Sequence, residues 1–202
     1  MREDIVISPS IASADPLNLA EELKKVHEYG CTDLHIDIED GNFVPNITFG
    51  KKTVSALRGA TNLPFSFHLM TRHWKDWVTF ASGQNTAIVF AHFEALDYPR
   101  EFIFLAKSLN MRCGIAFNPK TPVDNALYLL EDVDGILLLG TEPDGAGEPF
   151  LPAVLDKAKW LRARSEKTEI WLDGAVNFKK LEELRQCGIT HAVMGRAFFF
   201  DR

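Results

Sequence analysis

Eight short apolar runs, each followed by an amphipathic stretch, recur along the 202-residue chain and constrain its fold more than any other feature. Short apolar runs bounded by turn signals read as buried strands, and apolar residues recurring at three- and four-residue spacing read as helix. The strands read as Ile5–Ile11, Leu34–Ile38, Phe65–Met70, Thr86–His92, Arg112–Phe117, Gly135–Leu139, Glu169–Leu172 and His191–Met194. Between them the pattern predicts helices at Pro16–Tyr29, Lys51–Arg58, Trp74–Ala81, ahead of Asn110, and at Val123–Leu130, Leu151–Arg164 and Phe178–Cys187. The first helix has a start signal in Ser13-Ala14-Asp15-Pro16, with Asp15 as its cap and Pro16 at its first position, and Gly30 ends it.

Units of this βα type predict a (β/α)8 barrel over residues 1–202, one α/β domain with a closed parallel sheet. Alternation alone does not distinguish closure, so an open doubly wound sheet is the alternative. One part falls short. Gly195–Arg202 are too few for a full eighth helix, which leaves two explanations: a chain shortened there, or a groove sealed by a partner subunit.

The formal net charge of -6 argues against broad attraction to nucleic acid or to an anionic membrane. It leaves room for a small anionic substrate, which needs only local donors. Cys31, Cys113 and Cys187 are odd in number and scattered, so they read as thiols in a reducing cytoplasm rather than as a disulfide framework or zinc site. The N-terminus lacks the long apolar region of a signal peptide, and no apolar run approaches a membrane span.

A barrel enzyme works at the C-terminal ends of its strands, where polar residues stand out against an apolar pattern. Alternation puts His35, Asp37 and Glu39 on one face of the second strand, and His68 with Met70 on the third; the seventh ends in Asp173-Gly174. Any one of these histidines alone reads as a hydrogen-bonded structural residue. Two imidazoles and two carboxylates aimed into an apolar barrel without partners would be costly, and a shared divalent cation resolves that cost. Zn²⁺ suits this nitrogen and oxygen set; Fe²⁺, Mn²⁺ or Co²⁺ would tolerate it.

The run Ile7-Ser8-Pro9-Ser10-Ile11, then His35-Ile36-Asp37 with Asp40-Gly41 and Phe43-Val44-Pro45-Asn46-Ile47-Thr48-Phe49-Gly50, then His68-Leu69-Met70, resembles the ribulose-phosphate 3-epimerase family. Asn118-Pro119 before Thr121-Pro122, and Asp173-Gly174 before Val176-Asn177, continue the match in order, from Ile7 to about Phe199. The resemblance implies that His35, Asp37, His68 and Asp173 hold the metal, and that Asp37 and Asp173 exchange the C3 proton of a ketose phosphate on opposite faces. The cation would stabilise the enediolate formed between the two transfers. Ser10 would contact substrate, Met70 would belong to the apolar collar, and phosphate would rest on Gly145, Ala146, Gly147, Gly174, Ala175, Gly195 and Arg196. Homo-oligomerisation is a further expectation of the family. His92, followed by Glu94, also resembles the family but reads as structural, as do His27, His73 and His191.

The chain departs from the family around the substrate. Glu39 stands where a methionine is usual, as an additional carboxylate able to add a ligand or to raise its neighbours' proton affinity. The strand-six loop reads Glu142-Pro143-Asp144-Gly145-Ala146-Gly147; Leu139 replaces a methionine, Ala175 a glycine and Arg196 a serine. These changes imply a divergent branch with altered sugar specificity, similar to sugar-phosphate epimerases of carbohydrate-utilisation operons. The alternatives are an inactive barrel that still binds a sugar phosphate, or a decarboxylase of the same superfamily. The second is disfavoured because no lysine sits at the strand ends that carry the carboxylates.

Overall fold

The computed structural model describes residues 4–143 and 149–200. Eight parallel strands form one sheet: β1 (Val6–Pro9), β2 (Leu34–Glu39), β3 (Phe65–Met70), β4 (Thr86–His92), β5 (Cys113–Phe117), β6 (Gly135–Leu139), β7 (Glu169–Asp173) and β8 (His191–Met194). Each pairs with its sequence neighbour except that β1 pairs with β8, and a parallel bridge from Ser10 to His35 draws β1 against β2. The sheet is therefore a nearly closed barrel, and the open-sheet alternative does not hold.

Helices α1 (Leu19–Tyr29), α2 (Lys51–Ala60), α3 (Trp74–Ala81), α4 (Pro99–Ser108), α5 (Val154–Arg162), α6 (Leu181–Gln186) and α7 (Arg196–Phe199) follow the strands. Inside the barrel, Ile88, Phe90, Ala116, Leu137, Leu139, Trp171 and Val193 form their own apolar cluster, as residues of one pleat face must. Gly114 leaves the space that the Phe90 ring fills, since a side chain there would overlap the ring. The opposite strand faces pack outward with the helices into the larger core.

Several boundaries differ from the sequence reading, each for a local reason. The first strand ends at Pro9, and Ile11–Ser13 turns as 3-10 helix. The first helix begins three residues later than predicted, with Asn18 at its cap. Asp15 instead accepts from the Leu17 N–H at 3.0 Å and from Asn18 Nδ2 at 2.7 Å, closing a turn before the helix. Val123–Leu129 is 3-10 rather than α-helical; its buried residues Val123, Ala126 and Leu129 recur every third position, the period of that helix. The predicted Leu151–Arg164 helix shortens to α5, and Phe178–Cys187 divides into a 3-10 turn at Phe178–Lys180 and α6.

α7 is a single turn that sinks Phe198 completely, edge-on to Tyr29 at the end of α1 with ring centres 5.4 Å apart. Among the described residues no helix is long and apolar enough to cross a membrane.

Candidate metal centre and cavity

The parallel register sets Asp37 beside His68 across β2 and β3, and places Asp173 at the end of β7. His35 lies one pleat repeat below Asp37 on the same face. These four side chains meet: one ligand atom from each of His35, Asp37, His68 and Asp173 lies within 4.8 Å of the others, and the group could hold a metal ion. His68 Nδ1 stands 3.0 Å from Asp37 Oδ1 and 3.1 Å from Asp173 Oδ2, joining the two carboxylates. His35 Nε2 is buried, makes no hydrogen bond among the described residues, and faces Asp37 Oδ1 at 3.4 Å. An orphaned imidazole nitrogen beside two carboxylates is the donor set that a divalent cation satisfies.

The electrostatics are those of a cation site. Burial alone would raise the Asp37 carboxyl, but the His35 and His68 rings outweigh it and hold the carboxyl far below its ordinary range. Burial alone would lower His68, but hydrogen bonds to Asp173 and Asp37 carry it up to about 9. The proton on His68 thus supplies positive charge between the two acids.

Above the cluster opens a cavity of about 810 Å³. Ser10, Met70, Gly174, Ala175, Gly195 and Arg196 all line it. Ser10 Oγ donates to Asp37 Oδ2 at 2.5 Å, so a substrate reaching the serine also reaches the carboxylate. Met70 is buried at the cavity wall. Gly174 and Ala175 both hold positive φ, turning the chain back beneath Thr141. Gly145, Ala146 and Gly147, expected at the phosphate, lie outside the described residues together with Asp144.

Glu39 also lines the cavity but is not one of the four grouped residues. Its Oε2 accepts from Asn46 Nδ2 at 2.6 Å. Burial, then the Asp37 charge, push it up to about 7 despite that bond. Asp37 stays depressed by its two imidazoles, and Glu39 is the weaker acid of the two.

Sequence reasoning missed Asp33 and Ser66 behind the cluster and read His92, followed by Glu94, as structural. Asp33 is buried and accepts from Ser8 Oγ at 2.8 Å and Ser66 Oγ at 2.5 Å; Ser66 Oγ lies 3.0 Å from His35 Nδ1. Burial raises the Asp33 carboxyl against the pull of these two bonds. On the other side His92 is fully buried, with Nε2 2.8 Å from His68 Nε2 and Nδ1 3.2 Å from Glu94 Oε2. Burial would raise Glu94, but bonds from His92 and Thr121 bring it down to about 2, while burial takes His92 down to about 4. The signal was present: Ser66 precedes His68 by two residues on one strand, and Asp33 precedes His35 by two. His27 and His73 are exposed, and His191 stacks on Trp171 with ring centres 4.0 Å apart.

Fold and cluster define a (β/α)8 barrel with a metal-competent acid pair at its mouth. Comparisons with known proteins narrow this class. The sequence model of the ribulose-phosphate 3 epimerase family matches residues 6–199. The ribulose-phosphate 3-epimerase of Bacillus subtilis is 34% identical over 200 residues, covering 96% of this chain and 92% of that one. That of Synechocystis is 33% identical over 98% of this chain and 89% of its own length. The chain belongs to the ribulose-phosphate 3-epimerase family. It is accordingly an enzyme, an isomerase of the racemase and epimerase class. Among solved structures, the tryptophan synthase alpha-subunit of Pyrococcus furiosus superposes with TM-score 0.70 at 11% identity, over 96% of this chain and 87% of that one. The phosphoribosyl anthranilate isomerase of Thermus thermophilus gives 0.68 at 14%, over 96% and 88%. At such identities the likeness concerns the barrel alone.

Proposed function

We propose that the protein is a metal-dependent epimerase that inverts C3 of a phosphorylated ketose, ribulose 5-phosphate or a relative, by proton transfer between Asp37 and Asp173. The observation that carries this reading is the meeting of His35, Asp37, His68 and Asp173 at the floor of one open cavity. His35 Nε2, His68 Nδ1 and the two carboxylates would hold one divalent ion, with zinc, iron, manganese and cobalt all compatible with the donors. When bound, the ion supplies positive charge that lowers the cost of negative charge developing on the substrate oxygens.

The rest is the work of the chain. Asp37 and Asp173 come from β2 and β7, so each can address one face of a substrate lying between them. One carboxylate removes the C3 proton, and the other, carrying a proton, returns one to the opposite face. Ser10, bonded to Asp37, positions a substrate hydroxyl. Gly174, Ala175, Gly195 and Arg196, with Gly145–Gly147, would receive the phosphate, Arg196 by charge and the rest by backbone N–H groups. Glu39 with Asn46 would contact a hydroxyl that family members with methionine there do not read, altering sugar preference. A homo-oligomer in a reducing cytoplasm completes the reading; Cys113 and Cys187 are buried thiols.

Incubation of the purified protein with ribulose 5-phosphate and related ketose phosphates in D₂O, with and without added metal, tests this. Metal-dependent deuterium uptake at C3 is the expected result. Metal binding without exchange on any of them would favour the inactive sugar-phosphate-binding barrel instead.

A further inference from the structure

Each of the two imidazoles facing the cation position has a second ring nitrogen, and each second nitrogen leads away through one intermediate to a carboxylate outside the site. Ser66 stands between His35 Nδ1 and Asp33, and His92 stands between His68 Nε2 and Glu94. Resting on the metal reading above, we infer that these two relays fix the histidine tautomers, so that the lone pairs of His35 Nε2 and His68 Nδ1 face the ion. Asp33, Ser66, His92 and Glu94 are then positioning residues for it.

Proton counting gives the direction. The Ser66 hydroxyl has one proton and gives it to Asp33, which also takes the Ser8 proton. Ser66 can therefore only accept from His35, so the neutral ring that binds an ion keeps its one proton on Nδ1 and turns the lone pair of Nε2, which has no hydrogen-bond partner among the described residues, to the ion. On the other side Glu94 Oε1 accepts from the Asn118 N–H at 2.9 Å and from the Thr121 hydroxyl, so the carboxylate acts as acceptor throughout. His92 must then donate from Nδ1 to Glu94 Oε2, which makes its Nε2 an acceptor. His68 is obliged to donate from Nε2, and its Nδ1 is left for the cluster. The two rings use opposite nitrogens, and only this pair of opposite tautomers satisfies both relays at once. Carboxylate partners behind metal-bound imidazoles tune ligand orientation and basicity, and their loss typically weakens metal binding about 10–100-fold.

The test uses the full chain labelled with ¹⁵N-histidine. Long-range ¹H–¹⁵N spectra of the metal-free protein should show His92 protonated on Nδ1 and bare at Nε2; the zinc-loaded protein should show His35 bound through Nε2 with its proton on Nδ1, and His68 bound through Nδ1 with its proton on Nε2. Zinc affinity by competition with a chromophoric chelator should fall about 10–100-fold in Ser66→Ala and in Glu94→Gln. Ser8→Ala, which removes a bond to the same Asp33 without breaking the relay, should stay within about threefold of the native protein, well inside the range expected for a lost relay. A His92 proton on Nε2, or an equal loss of affinity in Ser8→Ala and Ser66→Ala, overturns the relays. The spectra decide the matter even where a variant fails to fold. Failure of the native protein to bind any of zinc, iron(II), manganese(II) and cobalt(II) would instead overturn the metal reading, a result distinct from either of these.

Discussion

At the scale of single residues, the two carboxylates are not equivalent partners of one proton. Asp37 is held ionised by two imidazoles and bonded to Ser10, whereas Asp173 meets His68 from another strand. Replacing either by asparagine removes a proton carrier with little change of shape. Asp37→Asn and Asp173→Asn should each lower turnover of the preferred ketose phosphate by about 10²–10⁴-fold. Coupled assay of epimer formation measures this, and a variant within threefold of native rate would remove that residue from the acid-base pair. His68 gives a second prediction, in the metal-free protein. Its folded value of about 9 exceeds the ordinary 6.5, so its protonation stabilises the fold fully below about 6.5 and is lost as pH rises through about 9. The melting temperature of chelator-treated protein should fall between those values, and saturating zinc should flatten the slope, because metal replaces the proton. An unchanged melting temperature over that interval in chelator would show that His68 gains no proton from its neighbours.

At the scale of elements, the loop after β7 carries strain that its sequence announces. Ala175 holds φ 51, a left-handed conformation that costs an L side chain about 1–2 kcal/mol, and Gly174 beside it holds φ 96. Ala175→Gly should relieve that cost, less roughly 0.5–1 kcal/mol of added unfolded-chain entropy, for a net gain of up to about 1.5 kcal/mol. Gly174→Ala should do the reverse, since its new Cβ would lie 2.9 Å from Thr141 Oγ1 at a positive φ. Urea denaturation of both variants checks the pair, and a destabilised Ala175→Gly would contradict the argument. Elements also show where periodicity was legible. β3, α3, β4, β6 and β8 fall where the apolar pattern put them, because turns bound each on both sides. The 3-10 segment at Val123–Leu129 was not legible as such, because spacings of three and four residues overlap over so short a run.

For the whole molecule, one buried aromatic residue ties the last helix to the first. Phe198 of α7 is fully buried, and its ring meets that of Tyr29 at the end of α1 edge-on with centres 5.4 Å apart. Phe198→Ala should cost about 3–5 kcal/mol, the range for truncating a buried phenylalanine. Chemical denaturation of the variant measures it, and a loss below about 1 kcal/mol would mean that the two helices are held by other contacts.

What the amino-acid sequence determined by itself was local and periodic. Alternation within a strand fixes which side chains share a face, so His35, Asp37 and Glu39 could be grouped from their spacing, as could His68 with Met70. The order of strands and helices likewise specified a parallel α/β sheet without deciding its closure, and the run from Asp40 to Gly50 pointed to its family. Only the tertiary structure decided which groups from different strands touch. Spacing within β2 contains nothing about the distance to β7, so neither the bridge of His68 between Asp37 and Asp173 nor the separation of Glu39 from the four grouped residues could be read there. The layer from Asp33 through Ser66, and from Glu94 through His92, has the same origin: hydrogen bonds between strands depend on register and barrel curvature, which arise when the whole ring closes.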